Sequence, residues 1–166
     1  MPKMEVFFDY ACPYCLTGHD YLVELIGTYP EIEIAWCPCE AHPRPENWHP
    51  HSDLCIQAMY YAVDTGVDIW EFHALMYKVA LKDKIDLEDV NLLANALGNL
   101  IEPEGFIWAV ESGKYADKPI KGNKYAFEES GVWAVPSYRM NGHKLDAVEN
   151  IGVTKEQLGK FMELGK

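Results

Sequence analysis

An α/β fold interrupted by a block of helices is what this 166-residue sequence predicts, and three features carry the prediction. The N-terminal stretch reads strand, helix, strand; residues 52–117 carry helical periodicity alone; a strand hairpin and a final helix close the chain. The first strand is expected at residues 5–9 around Val6-Phe7-Phe8, whose β-branched and aromatic side chains suit a buried, pleated surface. Pro13 then fits a first helical position, where its missing N–H costs nothing, and Leu22, Leu25, Ile26 and Tyr29 recur at i, i+3, i+4 and i+7. Gly27 and Pro30 bracket the exit. Ile32, Ile34 and Trp36 alternate with Glu31, Glu33 and Ala35, the period of a strand with one buried face. Two strands joined through a helix normally lie parallel in one sheet, with a right-handed crossover.

Between Cys37 and His51, Pro38, Pro43, Pro45 and Pro50 remove too many donors and fix too many φ angles for a regular element. Ser52 or Asp53 then caps a helix with Cys55, Met59, Ala62 and Val63 in its apolar row, and further helices are expected near 69–82, 87–100 and 103–112. The organisation that follows is one α/β domain formed by 1–51 and 118–166, with 52–117 as an inserted helical domain. Residues 121–130 read as another helix, stopped by Gly131. Asn141-Gly142, the dipeptide best suited to a type I′ turn, joins strands at 137–140 and 143–146. Thr154 caps a last amphipathic helix through Leu158, Phe161, Met162 and Leu164.

With 49% hydrophobic and 24% charged residues the chain has the composition of an ordinary globular protein. Its formal charge of −12 repels phosphate and anionic lipid, so neither nucleic acid nor a membrane surface is an expected partner. No apolar run is long enough to span a bilayer, and Met1-Pro2-Lys3-Met4 leads into strand-like residues instead of a signal-peptide core, which predicts a cytoplasmic protein. Five cysteines, an odd number in a reducing compartment, argue against a structural disulfide framework.

Cys12-Pro13-Tyr14-Cys15 sits between the first strand and the first helix, the setting in which a Cys-x-x-Cys pair signals redox chemistry. At a helix N-cap, the dipole and unpaired N–H groups stabilise a thiolate, which makes Cys12 the expected nucleophile. Cys15, one turn onward, is within reach to resolve a mixed disulfide. The competing readings are two inert buried cysteines or half a zinc site, and no second Cys-x-x-Cys completes such a site.

The run Asp9-Tyr10-Ala11-Cys12-Pro13-Tyr14-Cys15 resembles the active-site entry of the DsbA family of the thioredoxin superfamily, in particular its cytosolic FrnE-like branch. Gly131-Val132-Trp133-Ala134-Val135-Pro136-Ser137, followed by the hairpin, is similar to the family's cis-proline loop. The resemblance implies a thioredoxin fold with an inserted helical domain, a cis peptide before Pro136, and substrate contacts at Pro13, Tyr14, Val135 and Pro136. It implies disulfide exchange on protein or small thiol and disulfide substrates, with no resident cofactor and glutathione as the candidate electron donor. Pro13-Tyr14 matches the glutaredoxin dipeptide, and a cytosolic glutathione poise favours a reductase or isomerase over a net disulfide donor. One position departs from the pattern: Val6 stands where thioredoxin and many DsbA-like proteins carry a buried acid, so Cys15 needs water or another base. Asp9 reads as a turn or helix-entry residue. His19 lies about 10 Å along the helix from Cys12 and reads as a surface residue.

Cys37, Cys39, His42, His49, His51 and Cys55 gather zinc- or copper-type ligands around a proline-rich loop, but their spacing matches no standard metal module, and no metal site is assigned. A Cys37–Cys39 disulfide is a further, geometrically awkward reading. About three quarters of the large aromatics are expected in the core on their area alone, with the remainder available to line a groove for peptide substrates. Two alternatives to disulfide exchange stand beside it: a glutathione-linked transferase or isomerase resembling the kappa-class and hydroxychromene-carboxylate enzymes, and a non-enzymatic metal-binding or thiol-sensing module.

Overall fold

Four strands and seven helices are present in the computed structural model, which describes residues 1–166. Strand β1 (Lys3–Phe8) runs parallel to β2 (Glu33–Pro38) through helix α1 (Pro13–Leu25), which ends in a 3-10 turn at Ile26–Thr28. The sheet order is β2-β1-β3-β4, with β3 (Ser137–Met140) antiparallel to β1 and β4 (His143–Asp146) antiparallel to β3. Val6 therefore pairs with Trp36 on one side and Tyr138 on the other. This is the mixed α/β thioredoxin architecture with helices inserted between β2 and β3 that the sequence predicts.

β1 begins two residues earlier and ends one residue sooner than its apolar core suggested. As an inner strand covered on both faces it buries Met4, Val6, Phe7 and Phe8 without alternation. β2 does not show the one-faced burial that its alternation predicted. It is an edge strand with partial cover on both faces, so Ile34, Ala35, Trp36 and Cys37 are all half-buried.

The inserted helices are α2 (Asp53–Asp64), α3 (Ile69–Tyr77), α4 (Val90–Ala96) and α5 (Pro103–Glu111). α3 continues as a π-helical turn at Lys78–Lys82. One cluster of 35 buried residues runs from β1 and α1 into α2, α3, α4 and α5, so the insertion shares its core with the sheet. Helix α6 (Asp117–Asn123) starts four residues before the expected 121–130 segment. Pro119 is tolerated there because its missing N–H falls in the first turn. A π-helical stretch, Lys124–Glu129, completes it, and Gly131 at φ 67° ends it. Asn141 and Gly142 both take positive φ, as the type I′ turn demands.

None of the five tryptophans is buried, and five of the ten tyrosines are, which corrects the expectation that about three quarters of these aromatics would fill the core. Trp36 and Trp70 are half-buried and meet edge to face at 5.1 Å, while Trp48, Trp108 and Trp133 are 58%, 66% and 71% exposed. The core is instead packed with Tyr10, Tyr77, Tyr138, Phe7, Phe72 and Phe106. No helix is long and apolar enough to cross a membrane.

The last helix, α7 (Lys155–Glu163), packs on α1 and buries Leu158, Phe161 and Met162. Its start carries a reciprocal cap: the Thr154 hydroxyl accepts from the Gln157 N–H at 3.1 Å, and the Thr154 N–H donates to Gln157 Oε1 at 2.9 Å. Thr154→Ala should lower the unfolding free energy by about 0.5–2 kcal/mol, measured by urea denaturation, without changing the thiol chemistry at Cys12.

Candidate active site

The site begins where β1 hands over to α1. Asp9 is buried at this junction, and three donors converge on its carboxylate. Oδ1 accepts from the Ala11 N–H at 2.9 Å and the Ser52 hydroxyl at 2.7 Å; Oδ2 accepts from the Ala41 N–H at 2.8 Å. Burial pushes the Asp9 carboxyl up and these hydrogen bonds oppose it. The turn role expected for Asp9 is present, together with two long-range contacts that its position in the sequence did not announce. Ser52 is the N-cap residue of α2, yet its hydroxyl serves Asp9 and makes no cap bond.

Cys12 occupies the N-cap of α1 with extended backbone angles, φ −99° and ψ 117°, and Pro13 follows as the first helical residue. Its thiol is held below the usual cysteine range. The neighbouring Cys15 thiol, hydrogen-bonding to it, is the largest cause, aided by the Cys15 and Tyr14 N–H groups and opposed by burial and by Asp9. Cys15 is 1% exposed and shifts the other way: burial pushes it well above the ordinary value, and proximity to Cys12 adds to that. The Asp9 N–H donates to its sulfur at 3.4 Å. The half-buried thiol of the pair is thus shifted toward ionisation and its buried partner away from it.

The Val135–Pro136 peptide is cis, and the Val135 carbonyl oxygen lies 3.9 Å from Cys12 Sγ. α1 approaches this loop at Gly18, where a Cβ would lie 2.8 Å from the Tyr138 hydroxyl and 3.1 Å from Pro136. Glycine is what lets the helix carrying the cysteines sit against the proline loop. Cys12, Pro13, Tyr14 and Val135 open onto one groove of about 410 Å³ flanked by Trp48 and Trp133. Pro136 lies just inside, lining a small cavity behind Cys15.

Val6 is buried in the sheet, so no acid reaches Cys15 from that position. His19 is not a surface residue. It is buried between Trp36 of β2 and Trp70, His73 and Tyr77 of α3, with ring centroids 5.2 to 6.1 Å away. α1 taken alone leaves that position open; the insertion covers it. The six cysteines and histidines around the proline-rich loop do not form one ligand cluster. Cys39 and Cys55 are fully buried, burial pushes the Cys37 thiol up to about 12, and all five thiols are free. What does come together is His49 and His51 with Glu88, within 4.8 Å, and Arg44 also binds the same carboxylate.

The chain superposes on a probable DsbA oxidoreductase from Streptomyces coelicolor with a TM-score of 0.83 at 12% identity, over 99% of this chain and 89% of that one. The fold is the DsbA-like thioredoxin fold. DsbA of Pseudomonas aeruginosa matches with a TM-score of 0.70 at 19% identity, over 98% and 80% of the two chains. A thioredoxin-like oxidoreductase from Silicibacter pomeroyi gives 0.73 at 16%, over 99% and 86%. In sequence the chain is 21% identical to YwbO, an uncharacterised protein of Bacillus subtilis, across 81% of this chain and 84% of that protein. No protein-family model matches the sequence.

The split between the thiols is directly measurable. Iodoacetamide applied to the native, reduced protein at neutral pH should label Cys12 alone, as read by peptide mass spectrometry. Because the Cys12 pKa is lowered, its labelling rate should reach its plateau at a pH below that of an ordinary cysteine, while the other four thiols stay unlabelled until the protein unfolds.

Proposed function

We propose that this protein is a thiol-disulfide oxidoreductase of the reductase or isomerase type, acting through Cys12 and Cys15. The observation that carries the reading is the asymmetry of the pair: a half-buried thiol at a helix N-cap whose pKa is lowered by its neighbours, hydrogen-bonded to a buried thiol whose pKa is raised. The Cys12 thiolate attacks a substrate disulfide, one substrate sulfur leaves as thiolate, and a mixed disulfide forms at Cys12. Cys15 then attacks Cys12, releases the second substrate sulfur, and leaves the pair oxidised. Glutathione is the proposed source of electrons for the return to dithiol.

An extended protein segment bearing a disulfide fits the groove beside Cys12. Val135 would offer backbone hydrogen bonds to that segment, and Pro13, Tyr14 and Pro136 would shape the contact next to the reacting sulfurs. Trp48 and Trp133 are large, exposed apolar side chains lining this groove, the kind of anchor that a peptide covers on binding. We place the protein in the cytoplasm, in the FrnE-like branch that the run from Asp9 to Cys15 resembles.

Insulin reduction tests the chemistry. Cys12→Ser should abolish it, and Cys15→Ser should trap mixed disulfides at Cys12 that are visible on non-reducing gels; turnover at the unaltered rate in either variant rules the reading out. Trp133→Ala should raise KM for a protein disulfide about fivefold, the equivalent of about 1 kcal/mol, and raise KM for a small aromatic disulfide less. Equal effects on the two substrates would remove Trp133 from the docking surface.

A further inference from the structure

Resolution of the mixed disulfide requires Cys15 to lose a proton in a place where burial strongly favours the thiol. Position 6, facing this region from β1, is valine. Behind Cys15 lies an internal cavity of about 10 Å³, lined by Cys15, His19, Trp36, His73, Tyr77 and Tyr138 among others. That is room for about one water molecule, and a buried water needs polar partners to stay. His73 provides one. It is fully buried on α3, its Nδ1 is 2.8 Å from the Tyr10 hydroxyl, and its Nε2 makes no hydrogen bond within the protein.

His19 supplies the connection outward. It lies four residues after Cys15 on α1, hence on the same face of the helix, with its ring 5.2 Å from that of His73. It lines the internal cavity and also a second, open pocket of about 560 Å³ between α1 and α3, which Trp70, Asp20, Lys78 and Lys82 share. His19 is thus the one side chain with a titratable nitrogen that borders both Cys15's cavity and a solvent-facing pocket.

We propose that a single water in this cavity links Cys15 to His19 and His73, and that His19 carries the Cys15 proton to and from the outer pocket during disulfide exchange. This rests on the dithiol function proposed above. In the reducing direction the Cys15 S–H passes its proton through the water to neutral His19. The Cys15 sulfur bonds to Cys12, the bond from Cys12 to the substrate sulfur breaks, and its electron pair leaves with the substrate thiolate. The imidazolium gives its proton to solvent through the outer pocket, and the substrate thiolate takes one from solvent. Two electrons pass from the cysteine pair to the substrate, and the proton count balances.

The division of labour follows from surroundings. His73 is closed off on all sides, and burial together with nearby His19 holds it well below the ordinary imidazole value, so it remains neutral and orients the water. His19 is lowered by burial to a lesser degree, with Asp20 favouring its protonated form. The other charged groups lining its outer pocket are Lys78 and Lys82; Cys15 on its own helix, His73 and Tyr77 on α3 and Tyr138 on β3 are the other titratable groups around its cavity.

The experiment uses the reduced full-length protein and a symmetrical aromatic disulfide whose thiol product is coloured. The first equivalent released reports attack by Cys12, and the second reports attack by Cys15. His19→Gln should slow the second release at neutral pH by at least about tenfold, and its rate should keep rising with pH where the unaltered protein levels off. His73→Gln should act in the same direction, and imidazole added to His19→Ala should restore the second release. In the unaltered protein, the rate inflection of the second release should coincide with the His19 titration seen by NMR, a measurement that needs no variant. A second release with unchanged rate and pH profile in both His19 variants overturns the proposal. So does a slowed release with an unchanged pH profile, which marks a packing role, or an inflection that does not match the His19 titration. Failure of the first release, or of any second release in the unaltered protein, would instead refute the dithiol function itself.

Discussion

The Asp9 carboxylate is the constraint around which this molecule is arranged. Within 2.9 Å of its two oxygens it gathers the amide of the turn entering α1, an amide of the proline-rich loop after β2, and the hydroxyl at the start of the first inserted helix. Those three segments have no reason to meet on local grounds. A buried carboxylate must be satisfied by donors or it costs several kcal/mol, so each donor that arrives makes the next one more valuable. The position of Cys12, three residues after Asp9 and hydrogen-bonded through its own N–H to the Asp9 carbonyl at 3.0 Å, is set by that knot.

From this placement the asymmetry of the thiols follows. The helix start exposes unpaired N–H groups on the side where Cys12 lies, and the same geometry turns Cys15 inward against Tyr77 and Tyr138. Two residues with the same side chain, three positions apart, therefore acquire opposite tendencies to ionise. One is supplied with donors at a partly open surface, and the other is placed where a charge has almost nothing to solvate it.

The inserted helices do more than enlarge the core. Ser52 at the first of them completes the Asp9 knot, and α3 brings Trp70, His73 and Tyr77 over α1, sealing the space behind Cys15. The proline-rich loop that leads into the insertion contributes Trp48 to the groove at Cys12, and the loop before β3 contributes Trp133. The insertion thus shapes both sides of the cysteine pair: the open groove where a substrate fits and the closed cavity that surrounds the resolving thiol.

Much of this was legible from neighbours in sequence. The apolar run at Val6–Phe8, the alternation at Ile32–Trp36 and the 3.6-residue periods located the first two strands and most of the helices, Asn141-Gly142 specified its hairpin, and Thr154 specified a helix start, because each of these depends on interactions spanning only a few residues. Cys12 and Cys15 declared themselves as a Cys-x-x-Cys pair where a strand hands over to a helix. What the tertiary structure alone decided is which surfaces became interior. His19 looks outward on an isolated helix and is buried because α3 folds over it, while Trp48 and Trp133 look like core residues and remain exposed beside the groove. The loop cysteines and histidines, close in sequence, do not form one cluster; His49 and His51 stay together and Glu88 joins them from a distant segment, while Cys39 and Cys55 are buried. Local sequence determines backbone preference, but burial depends on which distant element covers a given face, and that is settled only when the whole core packs.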